Sequence, residues 1–298
     1  MTQRLRIDLA YDGTHFHGWA KQPQLRTVQG EVEAALTKIL RIREQESPAH
    51  LVVAGRTDTG VHARHQVCHM DIEPEILMRA LGHLTLTPEA ALCHRLQHVV
   101  PDDIVIYSVE RAPEGFDARF SALERTYVYR ICDSSVAVDP RIRSCVLKMD
   151  SVLDEDRLRR AAAMIVGLKD FGSFATPNPG GTTIREVKVA TWNRVPSHAG
   201  DYGILPLGSG LLEFTIVADA FAHNMVRSLV GAQVQVGVGK KSLEWFAEKL
   251  AVPVREGSTG PIAPEGLTLE HVSYPDDAEL GERAQKIRAR RTLPVRHV

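Results

Sequence analysis

The sequence predicts an α+β fold made of two β-α-β-β-α-β halves, with their sheets side by side, helices on one face and a cleft between the halves. Three observations predict it. Apolar and polar residues alternate in the opening segment, as in a half-buried strand. A helical apolar stripe follows it. The order of elements in residues 1–112 then recurs in residues 113–276.

In the first half, Arg4 to Tyr11 places Leu5, Ile7, Leu9 and Tyr11 on one face. Thr27 stands where a helix cap is needed, and Val28, Val32, Leu36, Ile39 and Leu40 form the stripe behind it. Leu51–Ala54 and Gln66–Ile72 read as strands. Glu75–Leu84 reads as a helix opened by Pro74, and Ile104–Val109 as the closing strand. This is the order of a split βαβ, or ferredoxin-like, unit.

In the second half, Arg125–Cys132 is a strand with Tyr127 and Tyr129 on one face, and Asp154–Val166 is a helix. Arg185–Trp192 and Leu211–Ala218 are strands separated by the loop VPSHAGDYGILPLGSG. Helices run from His223 to about Val236 and from Leu243 to Leu250, and Leu267–Tyr274 is the last strand. No residue-level repeat accompanies the repeated order. A cleft between two such halves is a favoured place for a site.

The chain has 298 residues, 44% of them hydrophobic and 24% charged, enough to bury a core without covalent staples. No apolar run approaches the ~20 residues of a membrane helix. The N-terminal MTQRLRIDLAYDG lacks the apolar core of a signal peptide, so a cytoplasmic protein is expected. Cys68, Cys93, Cys132 and Cys145 form no CxxC pair and fit no common zinc spacing; reduced thiols are expected. The net charge of −1 gives no overall nucleic-acid footprint, so any RNA surface must come from local clustering. Residues 277–298 are set apart as a basic tail, with Arg283, Lys286, Arg288, Arg290, Arg291 and Arg296. Its first reading is a solvated, partly disordered segment, its second an added phosphate contact.

The densest chemistry lies in AGRTDTGVHARHQ, Ala54–Gln66. Three readings fit it. It can be a polar turn in which Thr and Asp satisfy their own backbone and Gly60 supplies a positive φ. It can be a metal site on His62, His65 and His69 with Asp58, although strand geometry aligns only His65 and His69. It can be a catalytic loop, because one Asp beside an Arg serves as nucleophile or base while ionised. Residue chemistry alone stops at an Asp and an Arg in one loop.

The loop closely resembles the G-R-T-D-x-G-V-H-A run of the tRNA pseudouridine synthase A family, matched by Gly55, Arg56, Thr57, Asp58, Gly60, Val61, His62 and Ala63. Further segments resemble that family in order: YDGTHFHGW (Tyr11–Trp19), Thr27-Val28-Gln29, FDARFSALERTYVYRI (Phe116–Ile131), DFGSF (Asp170–Phe174), TIREV (Thr183–Val187), FAHNMVRSLVG (Phe221–Gly231) and PEGLTL (Pro264–Leu269). The resemblance runs from about residue 5 to 275. Ala20 stands where the family often has Gln, and Asp117 where it has His. Residues 84–101 look expanded, and the tail lies beyond the shared pattern.

The resemblance implies isomerisation of uridine to pseudouridine in the anticodon arm of tRNA, at positions 38 to 40. Nothing is oxidised and no group is donated, so no cofactor and no metal are expected. It makes Asp58 the essential aspartate, Arg227 the arginine that holds it ionised, Tyr127 the stacking partner of the flipped base and Leu267 the apolar residue behind the pyrimidine. It makes Arg56 the guanidinium that fills the place the uridine leaves. Candidate RNA contacts are Arg119 and Arg185 from family position, Lys21 and Arg26 because they are basic and near the first turn, and His62 as scaffold or contact. A homodimer is implied. A non-catalytic RNA-binding module is the competing expectation, since RRM domains share the βαββαβ order. No RNP1-like run is present, and aromatic residues make up only 6%.

Overall fold

The computed structural model describes residues 2–176, 181–198 and 204–287. These residues group into two compact units. One runs up to Leu123 and resumes at Leu269; the other is Glu124–Thr268.

The first unit contains β1 (Gln3–Tyr11), α1 (Val28–Leu40), β2 (Val52–Val53), β3 (His62–Ile72), α2 (Pro74–Leu77), α3 (Pro88–Val99) and β4 (Ile104–Arg111). Its strands lie in the order β4-β1-β3, with β2 also on β3. β1 runs antiparallel to both neighbours, with Ile7 opposite Cys68 and Val109. The alternation in β1 does what it predicts: Leu5, Ile7 and Leu9 are fully buried. Burying such a side chain stabilises by roughly 1.5–3 kcal/mol. Thr27 caps α1 by accepting from the Gly30 N–H at 3.2 Å, and the predicted stripe from Val28 to Leu40 is buried.

The second helix of this unit is not where the sequence put it. Residues 74–80 form one α-turn and a short 3-10 turn, and Gly82 follows with φ +53°, a left-handed conformation that ends the segment. The full helix is α3, inside the region read as expanded. Thr87 caps it, Pro88 opens it, and Ala91, Leu92 and Leu96 are buried. Pro74 and Pro88 carry the same opening signal, and the small Ala91 hides the buried face of the true helix.

The second unit contains β5 (Glu124–Cys132), β6 (Leu147–Lys148), α4 (Glu155–Met164), β7 (Gly167–Asp170), β8 (Ile184–Arg194), β9 (Leu212–Ala218), α5 (Met225–Gly237) and α6 (Leu243–Ala251). Its strands lie in the order β5-β9-β8-β7. β7 is absent from the sequence reading because Gly-Leu-Lys-Asp is too short to show alternation; it pairs antiparallel with β8, Gly167 opposite Val187. In this core Trp192 lies beside Phe214, and its indole N–H donates to Gln233 Oε1 at 2.8 Å.

β10 (Leu267–Ser273) straddles the division, with Leu267 and Thr268 in the second unit and the rest in the first. The sequence kept residues 113–276 together. The division instead falls after Leu123, whose N–H donates to the Ser273 carbonyl at 2.8 Å, so the later part of β10 joins the first unit. The tail also departs from its first reading: α7 (Leu280–Ile287) is a helix with Leu280 and Ala284 buried, and Ser121 Oγ donates to the Leu280 carbonyl at 3.2 Å. Arg288, Arg290, Arg291 and Arg296 lie outside the described residues. No helix among the described residues is long and apolar enough to cross a membrane. The four cysteines are free thiols, and Cys68 and Cys132 are buried.

His69, on β3, is 3% exposed and accepts the Ala118 N–H on Nδ1 at 3.0 Å, which keeps the ring neutral. Burial, reinforced by nearby Arg4, pushes its pKa down to about 4. The unfolded chain therefore takes up a proton near pH 6.5 that the folded chain refuses until about pH 4. Stability is complete above pH 6.5 and falls as the pH drops towards 4, by up to about 3 kcal/mol from this residue. An NMR titration should find the His69 ring neutral at pH 5.5; a charged ring there would contradict the assignment.

Candidate active site

The chain leaves β2 at Val53 and enters β3 at His62, and the loop between them holds Arg56, Thr57 and Asp58. The Ala54 N–H donates to the Val67 carbonyl at 2.8 Å, which ties the start of the loop to β3. Gly60 has φ +77°, and the Val61 N–H donates to the Asp58 carbonyl at 3.2 Å, which closes the turn.

A second segment, Asp12–Trp19, holds this loop. The Trp19 N–H donates to the Thr57 carbonyl at 3.1 Å, the Gly60 N–H to the Phe16 carbonyl at 3.2 Å, and the Gly13 N–H to His62 Nδ1 at 3.0 Å. The two backbones approach too closely for a side chain between them. A Cβ on Gly18, where φ is +84°, would stand 2.7 Å from the Thr57 carbonyl oxygen, and one on Gly13 would stand 2.1 Å from that of Val61. These contacts explain why both motifs carry glycine.

Side-chain bonds fix the middle of the loop. Gln66 Nε2 donates to the Gly55 carbonyl at 2.8 Å and to Tyr11 Oη at 3.3 Å. The Tyr11 hydroxyl lies 2.8 Å from Thr57 Oγ1, and, already accepting from Gln66, it has its own proton for that bond. Burial pushes the Tyr11 phenol up to about 12, so that proton stays in place at neutral pH. Thr57 is thereby pinned inward at 6% exposure, while its neighbours Arg56 and Asp58 are exposed and half-buried. A buried Thr57 thus stands between an exposed Arg56 and a half-buried Asp58.

The histidines do not gather around a metal. Among the described residues, no group of three or more His, Cys, Asp or Glu is placed to hold one. His62 is 3% exposed and takes the Gly13 N–H, and His69 takes the Ala118 N–H. His65 lies instead 3.0 Å from His271 and 3.3 Å from Asp8. His62 is thus part of the scaffold.

In the second unit, Tyr127 on β5 is 7% exposed, and its ring meets Phe221 edge to face at 5.1 Å. Arg227, in the first turn of α5, is half-buried; its Nε donates to the Ile262 carbonyl at 2.8 Å, and the Ile262 N–H returns a bond to the Arg227 carbonyl at 3.2 Å. Leu267, 4% exposed, opens β10 just beyond this contact, and its N–H donates to the Pro264 carbonyl at 2.9 Å. The segment between them is held by the Tyr129 hydroxyl, which donates to the Ala263 carbonyl at 2.7 Å. One connected patch of this unit therefore holds Arg227 and leads into Leu267.

The basic candidates divide. Lys21 is 65% exposed and reaches Glu33 at 3.2 Å, and Arg119 is exposed above the Phe120 ring. Arg26 makes a two-pronged pair with Asp103 at 2.7 and 2.8 Å and lies 4.1 Å from the Phe16 ring centre. Arg185 turns back on the carbonyls of Thr182 and Ile184. Arg26 and Arg185 thus make bonds within their own unit, which a charge count along a sequence does not show. The supporting roles of Tyr11, Gly18 and Gln66 are likewise not visible in the sequence. The one signal for Gln66 is a polar residue in the buried register of a strand.

A sequence model of the family described as tRNA pseudouridine synthase matches residues 9–121 and 161–275. The chain is 62% identical over 302 residues to tRNA pseudouridine synthase A of Bifidobacterium longum (strain DJO10A), covering 97% of this chain and 99% of that protein. The protein of the same name from Streptomyces griseus subsp. griseus is 45% identical, over 98% of this chain and 95% of its own. That from Cutibacterium acnes is 42% identical, over 97% and 95%.

Two substitutions test the way the loop is held. Gly18→Ala combines a left-handed backbone with a clash on Thr57 and should lower stability by about 1–3 kcal/mol. Tyr11→Phe removes one hydroxyl from a buried chain and should cost about 1 kcal/mol. Urea midpoints measure both, and unchanged midpoints would refute this anchoring.

Proposed function

The chain belongs to the tRNA pseudouridine synthase family, and we propose that it isomerises uridine to pseudouridine in tRNA, at positions 38 to 40 of the anticodon arm, with Asp58 as the essential carboxylate. In this reaction the bond between N1 of uracil and C1′ of the ribose breaks. The base turns, C5 bonds to C1′, the proton on C5 leaves and N1 gains one. The observation that best supports the reading is the anchored loop, in which a buried Thr57 lies between an exposed Arg56 and a half-buried Asp58.

Each residue has a role that its surroundings support. Asp58 has its carboxylate half-buried on a loop tied down by main-chain bonds, so it does not have to be ordered at each turnover. It acts on the uridine as nucleophile or as base. Arg56, exposed next to it, takes the space of the extruded uridine; its planar guanidinium stacks on neighbouring bases and recovers part of the few kcal/mol that flipping costs. Tyr127 and Leu267 offer the uracil an aromatic face and an apolar wall. Arg227 serves the reacting carboxylate. Lys21 and Arg119, both exposed, meet phosphates. The enzyme works in the cytoplasm as a homodimer without cofactor.

The test uses tRNA labelled with tritium at C5 of uridine. Wild-type protein should release the label and leave pseudouridine at positions 38 to 40. Asp58→Asn should lose release by a factor on the order of 10³ or more with tRNA affinity nearly kept. Full activity in that variant would remove Asp58 from the chemistry. Tight tRNA binding by wild-type protein with no label released would favour a plain RNA-binding module. Affinity should also fall with salt, and Lys21→Gln and Arg119→Gln should each lower the slope of log K against log salt by about one. An unchanged slope would take that residue off the phosphate path.

A further inference from the structure

Only three non-glycine residues among those described have a left-handed backbone: Gln24, Arg41 and Asn224. Arg41 follows the end of α1 as a C-cap, a common place for this conformation. Asn224 is different. It precedes α5 with φ 62° and ψ 2°, and its side chain makes no capping bond to the helix. Cap residues at this end are normally extended and bond back to the helix. A strained residue that has given up the usual benefit of its position calls for another reason.

The side chain of Asn224 provides one. Its Nδ2 donates to Thr176 Oγ1 at 3.0 Å, and its Oδ1 accepts from Arg227 Nη1 at 3.4 Å. Thr176 is held from two further directions: Arg255 Nη1 donates to its hydroxyl at 2.6 Å, and its own N–H donates to the His223 carbonyl at 2.9 Å. Arg227 is in turn fixed at Nε by the Ile262 carbonyl. The bond from Asn224 adds a hold on Nη1 that restrains the plane of the fork, and the direction of a planar fork decides which carboxylate or phosphate oxygens it meets. In a right-handed first turn the Asn224 side chain would leave from another direction. The left-handed backbone is therefore what aims the amide at both Thr176 and Arg227.

We propose that Asn224 is a positioning residue, which through its left-handed backbone and its amide links Thr176 to Arg227 and helps set the orientation of the arginine that serves the reacting carboxylate. This rests on the reading of Arg227 as a residue of the pseudouridine-forming site.

Three substitutions separate backbone from side chain. Asn224→Gly keeps the left-handed turn and loses the amide. Asn224→Asp keeps an acceptor for Arg227, and the Thr176 hydroxyl can turn to donate to its other oxygen. Arg227→Ala removes the group acted upon. Label release from C5-tritiated tRNA is measured at saturating enzyme, with KM from steady state and thermal melting as the folding control. The expected result for Asn224→Gly is kcat lower by about three- to tenfold, the effect of one hydrogen bond, with KM and melting temperature nearly unchanged. Asn224→Asp should recover most of that loss. In the Arg227→Ala background, Asn224→Gly should bring no further loss, because it acts only through the arginine. Wild-type kcat in Asn224→Gly, or no recovery in Asn224→Asp, would overturn the proposal. So would an equal further loss on top of Arg227→Ala. Full activity in Arg227→Ala alone would instead remove Arg227 from the site, which is a failure of the underlying reading and is told apart by that single variant.

Discussion

The contact on which the shape of the Asp58 loop depends is that between the Asp12–Trp19 turn and the Thr57–Gly60 loop. It is made mostly by backbone: Trp19 to Thr57, and Gly60 to Phe16. Backbone contact at this distance has no tolerance for a Cβ, and this is why Gly13 and Gly18 stand where they do. The buried Tyr11–Thr57–Gln66 chain then fixes the remaining freedom by turning Thr57 inward. Arg56 and Asp58 thus flank a residue whose side chain is held in the interior. A loop with an equally polar sequence but no such anchor would present the same groups in many directions, and a group that has to be ordered at each turnover loses much of its effect.

Much of the architecture was legible in the sequence, for identifiable reasons. β1 alternates cleanly because one of its faces is buried from Leu5 to Tyr11. α1 was readable because Thr27 caps it and its stripe is made of large aliphatic residues. α3 was not, because Ala91 contributes to its buried face without looking apolar and Pro74 offers a rival start. β7 has four residues, fewer than a period-2 pattern needs. α7 carries Leu280 and Ala284 one turn apart, yet its surrounding charge made it look like a solvated tail.

The candidate site divides along a similar line. The type and spacing of Arg56, Asp58, Arg227 and Tyr127 are visible as motifs, since motifs are strings of neighbours. What each charged group is paired with is a matter of three dimensions. Arg26 finds Asp103, 77 residues away, and Arg185 finds its own backbone. Neither partner could be guessed from the string. The three histidines had a suggestive spacing, but Nδ1 of His62 and Nδ1 of His69 each accept a main-chain N–H, from Gly13 and Ala118. Asn224 was hidden for a third reason: its importance lies in a backbone angle, and an Asn in a sequence does not announce one.

The anchors of the Asp58 loop also bear on how the molecule comes into being. Tyr11 and Thr57 are 46 residues apart, and Gly13 and His62 are 49 apart. Contacts at such separations form only after the intervening chain has been gathered in, and closing long loops is slow. The loop lies between β2 and β3, and its anchors hang from the end of β1, so it takes its shape only once those strands have paired. A nascent or partly opened chain would hold Asp58 on an unstructured segment. If Asp58 is the reacting carboxylate proposed above, competence to act and completion of the fold are a single event.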